Sequence, residues 1–374
     1  MKILYHHRIA SKDGQFVHVE ELTNAFLEQG HELHFVAPSM NENTDFGHDG
    51  GIVTKLKKIL PRAVYELIEL MYCFWIFIKL FKAVKQLKPE FIYERYNLYQ
   101  PAGIWISKLL KIPLVLEVNA PLVQERSRYS GLALPKFAKL IENYTWRNAD
   151  LVLPVSDVLA DHLRDVNVKE SKIHVIHNGI RQAFLDSIDL SDSKEKKEIT
   201  IGFTGFIHPW HGLDKAIKAI SEHQDSNLKL VCVGDGDILE ELKTFAQELG
   251  IANKVDFKGL LSRDDTLEQV RHFDITLQPA VTEYASPLKM FEYMAVGSLI
   301  IAPDSKNIKE ILSDKCALLF ESGNVEDFIN KLNYAIENYG NCKELRSAAQ
   351  QQVIDKKFIW GENAKKEINL VNKD

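Results

Sequence analysis

Short apolar runs alternate with longer amphipathic stretches along the whole chain. The apolar runs are rich in β-branched and aromatic residues, and they predict strands at 3–5, 33–37, 91–93, 114–118, 151–154 and 174–176, then at 199–203, 228–233, 255–257, 275–278, 299–302 and 318–320. Helical periodicity between the first set of strands predicts helices near 17–29, 61–87, 101–110, 135–148 and 157–165. This alternation is typical of βαβ units and a parallel sheet.

The alternating pattern occurs twice, which predicts an α/β protein of two doubly wound, Rossmann-like domains. The polar stretch DLSDSKEKKE at 189–198 cannot be buried cheaply and is expected to be an exposed connector. The predicted N-terminal domain spans 1–177, and the second domain starts at 178. Because ligands of open α/β sheets bind at the carboxyl ends of strands, we expect a ligand between the two sheets at those ends.

Composition excludes several classes of protein. The chain has 374 residues, of which 45% are hydrophobic and 26% charged, so disordered, fibrous and membrane-embedded proteins are excluded. A net charge of −6 gives no reason to expect nucleic acid as a partner. The four cysteines are far apart, as in reduced proteins, and the N-terminus MKILYHHRIA lacks the apolar run of a signal peptide. A cytoplasmic location is therefore expected.

One segment departs from the charge balance. Residues 55–88 contain eight Lys and Arg against Glu66 and Glu69, a net charge of +6, around the apolar stretch LMYCFWIFI at 70–78. Nine uncharged residues are too few to span a bilayer, but bulky apolar residues flanked by lysines suit a helix on an anionic membrane surface. The alternative is a long core helix whose lysine side chains reach out to solvent.

The stretch EYASPLKMFEYMAVG at 283–297 predicts an anion site at the start of a helix. Ser286 suits the N-cap and Pro287 the first helical position, so Leu288 and the following residues would offer free backbone N–H groups. Lys289 and Glu292 follow at helical spacing on the same face. These features suit a diphosphate beside a ribose diol, and the alternative is an ordinary capped helix with a Lys–Glu pair.

A second loop, GFTGFIHPWHG at 202–212, is expected to face that helix. Gly205 allows the backbone to approach a ligand, and His211 with Gly212 stands at the start of the next helix. His208 and His211 lack an acidic or thiol partner in the sequence, so no metal is expected there. An NAD fingerprint starting at Gly234 is incomplete, and P-loop, G-x-S-x-G and H-E-x-x-H motifs do not occur.

These motifs, in this order, resemble the retaining, nucleotide-sugar-dependent glycosyltransferases of family 4, which have the two-domain GT-B fold. The resemblance rests on SPLKMFEYMAVG at 286–297, VGDGDILEEL at 233–242, VDFKGLL at 255–261, PVSDVLADHL at 154–163 and KIHVIHNGI at 172–180. It covers nearly the whole chain. It implies that the donor domain spans 178–355, that a C-terminal helix at 356–374 crosses back to the N-terminal domain, and that the loop at Leu260 touches the nucleobase.

The chain also departs from the commonest family pattern. Many members have two glutamates eight residues apart, and Glu292 matches the second of them. At the position of the first, this chain has Tyr284, and Glu283 is one residue out of register. Two basic residues that usually neutralise phosphate are replaced by Phe206 and His211. Lys289 is expected to supply the replacement charge, in a branch with a W-H-G loop and an S-P-L-K helix start.

In the N-terminal half, the resemblance places Gly14 at the glycine-rich turn of the donor site. The strand LVLEVNAPL ends in Glu117 and Asn119, and YERY at 93–96 supplies Arg95 on the acceptor side. These polar groups are expected to form part of the site, and the alternative is that they satisfy loop backbone.

The resemblance implies that a hexose or N-acetylhexosamine is transferred with retention from a nucleotide diphosphate sugar to a glycan or lipid-linked acceptor. A UDP-sugar is favoured over a GDP-sugar, and neither a metal nor another cofactor is implied. The leaving diphosphate would help to deprotonate the acceptor, and Lys289, His211 and the N–H groups after Ser286 would stabilise its charge. The alternatives are a catalytically weak nucleotide-sugar-binding subunit of a glycan-assembly complex and, on the doubly wound pattern alone, an NAD-dependent oxidoreductase.

Overall fold

The computed structural model describes residues 1–9, 14–38, 60–188, 198–223 and 227–373. The predicted connector at 189–198 lies outside these residues except for Glu198, and residues 55–59 of the basic segment also lie outside them. The chain divides into two compact units. Unit 1 comprises Met1–His177 with Gly361–Asp374, and unit 2 comprises Asn178–Trp360.

Unit 1 is built on a five-stranded parallel sheet with the order β2-β1-β3-β4-β5. Its strands are β1 (Lys2–His6), β2 (Glu32–Val36), β3 (Phe91–Arg95), β4 (Leu114–Val118) and β5 (Leu151–Pro154). Its helices are α1 (Gly14–Glu28), α2 (Arg62–Leu87), α3 (Ala102–Leu110), α4 (Leu122–Tyr129), α5 (Pro135–Asn148) and α6 (Asp157–Asp165). Strands β3 to β5 are buried along their whole length, as expected where helices cover both faces of a parallel sheet.

Two local predictions for unit 1 need correction. The predicted strand at 174–176 is wrong, because this segment hydrogen-bonds to β5 without becoming a named strand. His174 N and Ile176 N donate to the carbonyl oxygens of Val152 and Pro154, both at 3.0 Å. Helix α4 was not predicted, and the reason is that none of its residues is buried, so it lacks an apolar stripe.

Unit 2 contains a six-stranded parallel sheet with the order β11-β10-β9-β6-β7-β8. Its strands are β6 (Ile199–Thr204), β7 (Leu228–Val233), β8 (Val255–Gly259), β9 (Ile275–Leu277), β10 (Leu299–Pro303) and β11 (Leu318–Phe320). Its helices are α7 (Gln182–Asp186), α8 (Leu213–Glu222), α9 (Leu239–Glu248), α10 (Arg263–Val270), α11 (Leu288–Ala295), α12 (Lys306–Ile311), α13 (Val325–Glu337) and α14 (Lys343–Asp355).

The core of unit 2 lies on both faces of this sheet. One apolar cluster joins α8, α9 and α13 to the sheet, and the other joins α10, α11, α12 and α14 to it. The last helix of the chain, α15 (Trp360–Val371), belongs to unit 1 from Gly361 onward. The predicted fold class, α/β with two Rossmann-like domains, is confirmed. None of the described helices is both long and apolar enough to cross a bilayer.

Candidate active site

The start of α11 differs from the predicted capping pattern by one residue. Pro287 is the N-cap and the helix begins at Leu288, without a side-chain cap. The predicted cap, Ser286, has another role: its Oγ accepts from Asn178 N at 3.4 Å, and its carbonyl accepts from Asn178 Nδ2 at 2.5 Å. Because Pro287 has no N–H to satisfy, the first free N–H groups of the helix are those of Leu288 and Lys289. Ser286 thus anchors the loop that positions this helix end.

Helix α11 is fastened to the carboxyl end of β6 by two side chains one turn apart. Lys289 Nζ donates to the carbonyl of Thr204 at 2.7 Å. Tyr293 Oη accepts from Thr204 N at 2.9 Å and lies 3.1 Å from Thr204 Oγ1. The end of the central strand and the start of α11 are therefore held together around the Lys289 ammonium.

The Lys289 ammonium is set up to receive an anion. It lies 4.1 Å from the centroid of the Phe203 ring, and no ion pair is found for it within the described part of the chain. Burial lowers the pKa of Lys289 to about 7, and nearby Glu292 offsets this in part. A negative group beside Nζ would restore the ordinary pKa, so binding of an anion here is favoured.

Glycines shape the turn beside this ammonium. Gly205 has φ +122°, and a Cβ built on it would lie 3.4 Å from Lys289 Nζ. Gly234, with φ +136°, packs so closely that a Cβ there would lie 2.0 Å from the Gly205 carbonyl oxygen. A Cβ on Gly236 would lie 1.9 Å from the carbonyl oxygen of Ile207. The ends of β6 and β7 can approach each other only because these positions lack side chains.

His211 lies in this turn as a neutral imidazole. Burial, Lys289 and His208 lower the pKa of His211 to about 3. Its Nδ1 accepts from His208 N at 3.2 Å, which leaves Nε2 as the donor atom, and Gly212 follows with φ +61° at the start of α8. His211 can thus give a phosphate a hydrogen bond but not a positive charge. Lys289 is then the positive charge of this turn.

Glu292 is buried and forms an ion pair with Arg263, the first residue of α10. The sequence did not single out Arg263, because it lies in a separate helix, although Ser262 before it is a recognisable N-cap that accepts from Asp265 N at 3.2 Å. Leu260, predicted near the nucleobase, is exposed after Gly259 at the end of β8. Glu283 is also exposed.

A second polar cluster lies in unit 1 around Glu117, at the carboxyl end of β4. The buried Glu117 carboxylate forms an ion pair with Arg95 and accepts from Asn119. His18 Nε2 lies 3.0 Å from Oε2, and Tyr93 Oη donates to Oε2 at 3.0 Å. The structure therefore brings together three of the four predicted residues of this half, Arg95, Glu117 and Asn119, and adds His18 and Tyr93, which the sequence did not indicate.

Four donors saturate the Glu117 carboxylate. Burial alone would raise the pKa of Glu117, but His18 and Arg95 outweigh burial and hold this pKa well below its ordinary value. A carboxylate with so low a pKa is a weak proton acceptor. Its role in this geometry is to orient Arg95, Asn119 and His18. Gly14, predicted at the glycine-rich turn, is the first residue of α1, one turn before His18.

Glu367, on α15, is a further buried carboxyl of unit 1 that the sequence did not reveal. Burial and the negative charge of Glu117 raise the pKa of Glu367 well above its ordinary value. Its environment therefore favours the neutral acid over the carboxylate. No sequence signal could have marked this residue, because KKEINLV looks like an ordinary amphipathic helix.

Among the residues that the structure describes, no three His, Cys, Asp or Glu side chains lie close enough to hold a metal ion. His208, which the sequence pairs with His211, instead stacks on Trp210 with ring centroids 4.1 Å apart. Its Nδ1 lies 3.8 Å from Asp237 Oδ2.

Two protein-family models match the chain in succession. Residues 12–184 match Glycosyltransferase Family 4, and residues 186–352 match Glycosyl transferases group 1. An uncharacterized glycosyltransferase of Methanocaldococcus jannaschii is 21% identical over 370 residues, which is 94% of this chain and 93% of that protein. The alpha-monoglucosyldiacylglycerol synthase of Streptococcus pneumoniae is 26% identical over 228 residues, 57% of this chain and 51% of the synthase.

Solved structures share the fold. The crystal structure of Anabaena HepE in complex with UDP superposes with a TM-score of 0.74 at 16% identity, with both chains fully covered. The same protein in complex with UDP-glucose gives a TM-score of 0.70 at 18% identity, again over both full chains. These likenesses show the fold, and the family models show the class. The chain belongs to the glycosyltransferases, with a Family 4 domain over residues 12–184 followed by a group 1 domain over residues 186–352.

Proposed function

We propose that this protein transfers a hexose or N-acetylhexosamine, with retention and without a metal, from a nucleoside diphosphate sugar to a glycan or lipid-linked acceptor. The observation that carries the proposal is the Lys289 ammonium at the end of β6. It is held by Thr204, lies beside the open turn at Gly205, and has no ion-pair partner in the described part of the chain.

Lys289 suits a diphosphate for two reasons. Its ammonium has three N–H donors, of which Thr204 takes one, so two remain for phosphate oxygens. The N-terminus of α11 adds the free N–H groups of Leu288 and Lys289 and the positive end of the helix dipole. These fixed donors would stabilise charge on the leaving diphosphate without reorganising during the reaction.

A UDP-sugar is the favoured donor. HepE, which shares the fold, was solved with UDP and with UDP-glucose. The buried Glu292–Arg263 pair lies one turn beyond Lys289 on α11, where a carboxylate oxygen suits a ribose hydroxyl. Pro287 and Leu288 would border the diphosphate, and Leu260 would border the base. We propose that the anomeric configuration of the sugar is retained. The leaving diphosphate would deprotonate the acceptor, since the saturated Glu117 is a poor base.

The acceptor is proposed to be a glycan or a lipid-linked glycan, with Arg95 and Asn119 on its side. Both side chains are oriented by Glu117 and carry N–H groups that suit sugar hydroxyls. The alternative, a catalytically weak nucleotide-sugar-binding subunit, differs in predicting binding of the donor without turnover.

The proposal is tested by turnover with a panel of UDP-hexoses and UDP-N-acetylhexosamines in EDTA, with glycan and lipid-linked acceptors. Release of UDP that requires an acceptor, and a product whose anomeric configuration matches that of the donor, would support it. Tight donor binding with no transfer to any acceptor would favour the binding subunit. Turnover that EDTA abolishes, or an inverted product, would contradict the mechanism.

A further inference from the structure

Helix α2 is inverted in its first half, with charged side chains inside and apolar ones outside. Its buried face includes Glu66 and Glu69. Its exposed face carries seven large apolar side chains, each between 42% and 63% exposed: Val64, Leu67, Ile68, Met71, Phe74, Trp75 and Ile78. A surface helix normally shows the opposite arrangement, because apolar area is stabilised by burial. We call these seven residues the apolar face of α2.

The inversion is fixed by the partners of the two glutamates. Glu66 accepts from Tyr99 Oη at 2.9 Å and from the backbone N–H groups of Ala133 and Leu134 at 2.6 and 3.0 Å. Glu69 accepts two hydrogen bonds from the Arg126 guanidinium, at 2.7 and 3.1 Å. Rotating the helix to bury its apolar face would leave these charges without partners, which is costly. The apolar face is therefore held outward by the fold.

The apolar face is also extended. From Val64 to Ile78 it runs along α2 for about 21 Å at the helical rise. Trp105 of α3 continues it, with its ring centroid 5.8 Å from that of Phe74. Leu109, one turn further on α3, is 59% exposed. Contiguous apolar surface of this kind marks a site of contact with a partner or membrane.

The charges around the apolar face identify the partner. From Arg62 to Lys88, the exposed charged residues are all basic: Arg62, Lys79, Lys82, Lys85 and Lys88. Lys79 folds back so that its Nζ lies 3.7 Å from the centroid of the Trp75 ring. Lysines that border an apolar surface with an indole at its edge match the headgroup region of an anionic bilayer.

We propose that the apolar face of α2, together with Lys79, Lys82, Lys85 and Lys88, binds unit 1 to the surface of an anionic lipid membrane. The helix lies in the plane of the membrane, because its opposite face packs into unit 1 through Cys73, Ile76, Leu80 and Val84. This inference goes beyond the sugar transfer and does not depend on it.

The test is sedimentation of the full chain with vesicles, without nucleotide. Vesicles of phosphatidylcholine with phosphatidylglycerol are compared with pure phosphatidylcholine at low and at high ionic strength. We expect binding to the anionic vesicles that falls about tenfold or more at high ionic strength. Binding to both vesicle types alike, or to neither, would overturn the proposal.

Two paired variants separate the charged and apolar contributions. Lys79→Glu with Lys82→Glu should weaken vesicle binding about tenfold or more, whereas Lys218→Glu with Lys356→Glu, exposed lysines of unit 2, should not. Leu67→Ser with Met71→Ser should also weaken vesicle binding about tenfold or more, whereas Val325→Ser with Ile354→Ser, at exposed apolar residues of unit 2, should not. Because all eight side chains are exposed, the thermal midpoints should stay close to that of the native chain.

If the face instead binds a second copy of this chain, the native protein will dimerise without vesicles, and Leu67→Ser with Met71→Ser will abolish the dimer. That outcome would overturn the membrane assignment. UDP binding by the same variants is measured in parallel, so that loss of the membrane site and failure of the proposed donor site give different results.

Discussion

At the scale of single residues, the site depends on charge states that the local environment sets. Lys289 and His211 are both basic residues beside the same turn, yet burial leaves only Lys289 close to its charged form at neutral pH. The sequence identified both residues from their spacing to glycine and to the helix start. It could not show that His211 is neutral, because that depends on burial and on its two neighbours, His208 and Lys289.

The titration of Lys289 gives a pH-dependent prediction. Its pKa of about 7 in the free protein means that diphosphate binding above pH 7 must take up a proton. The affinity for UDP should therefore fall as pH rises from about 7 to about 9, by up to about tenfold per pH unit. Lys289→Met should weaken binding about 10- to 100-fold near pH 6.5 and flatten the pH dependence.

Isothermal titration calorimetry over this pH range measures both effects. Lys218→Met, which changes an exposed lysine on α8, is the control and should bind UDP like the native chain. If Lys289→Met kept the native affinity and the native pH slope, Lys289 would not be the diphosphate-binding group.

At the scale of elements, buried strands were predictable and local capping was less so. Strands such as β4 (Leu114–Val118) and β10 (Leu299–Pro303) are buried along their whole length and have near-continuous apolar sequences, as expected where helices cover both faces of a sheet. The start of α11 was misplaced by one residue, because Ser286 is hydrogen-bonded to Asn178, a residue distant in sequence. A capping rule that considers only neighbouring residues cannot anticipate such a partner.

The turn between β6 and α8 depends on glycine at position 234. Gly234→Ala would place a Cβ 2.0 Å from the Gly205 carbonyl oxygen at φ +136°. We expect the free energy of unfolding to fall by about 2–4 kcal/mol and the UDP affinity to fall with it. Gly250→Ala is the control, because it also has positive φ but no atom within 4 Å, so it should cost only about 1 kcal/mol.

Urea unfolding measures the stability of the Gly234 and Gly250 variants, and calorimetry measures UDP binding. If Gly234→Ala and Gly250→Ala had equal effects on stability and equal effects on UDP affinity, close packing of Gly234 against Gly205 would not shape the site.

Glu367, on the last helix α15, should change the free energy of unfolding with pH in the direction opposite to that of an ion-paired carboxylate. Because the pKa of Glu367 is raised, the folded state keeps a proton that the unfolded state loses above the ordinary pKa. Stability from this group is present at low pH and is lost as pH rises. Glu367→Gln mimics the neutral acid. As pH rises, its free energy of unfolding should increase relative to that of the native chain by up to about 1.4 kcal/mol per pH unit.

Urea unfolding of the native chain and of Glu367→Gln between about pH 5 and about pH 9 makes the comparison. Glu362→Gln, at the start of the same helix and partly exposed, is the control. A stability difference that did not change with pH would show that Glu367 is ionised in the folded state.

At the scale of the whole molecule, the repeated α/β pattern predicted the fold class, and the order of motifs predicted the glycosyltransferase class. The solved structures agree with the fold class, and the two family models agree with the glycosyltransferase class. Sequence placed Arg95, Glu117 and Asn119 in one site, but it could not add Tyr93, His18 and Glu367, which come to Glu117 from one strand, β3, and from the first and last helices, α1 and α15. Nor could it show that Glu66 and Glu69 point inward, which requires Arg126 and Tyr99 to be in place.

A thermal-shift panel of the full chain with UDP, GDP, ADP, TDP and NAD in EDTA tests directly whether the protein has a nucleoside diphosphate site. We expect UDP to raise the melting temperature by a few degrees, since a ligand at about a hundred times its Kd adds about 2.7 kcal/mol of stability. Lys289→Met should lose most of this shift. Stabilisation by NAD alone, or by none of the five, would contradict a nucleoside diphosphate site at Lys289.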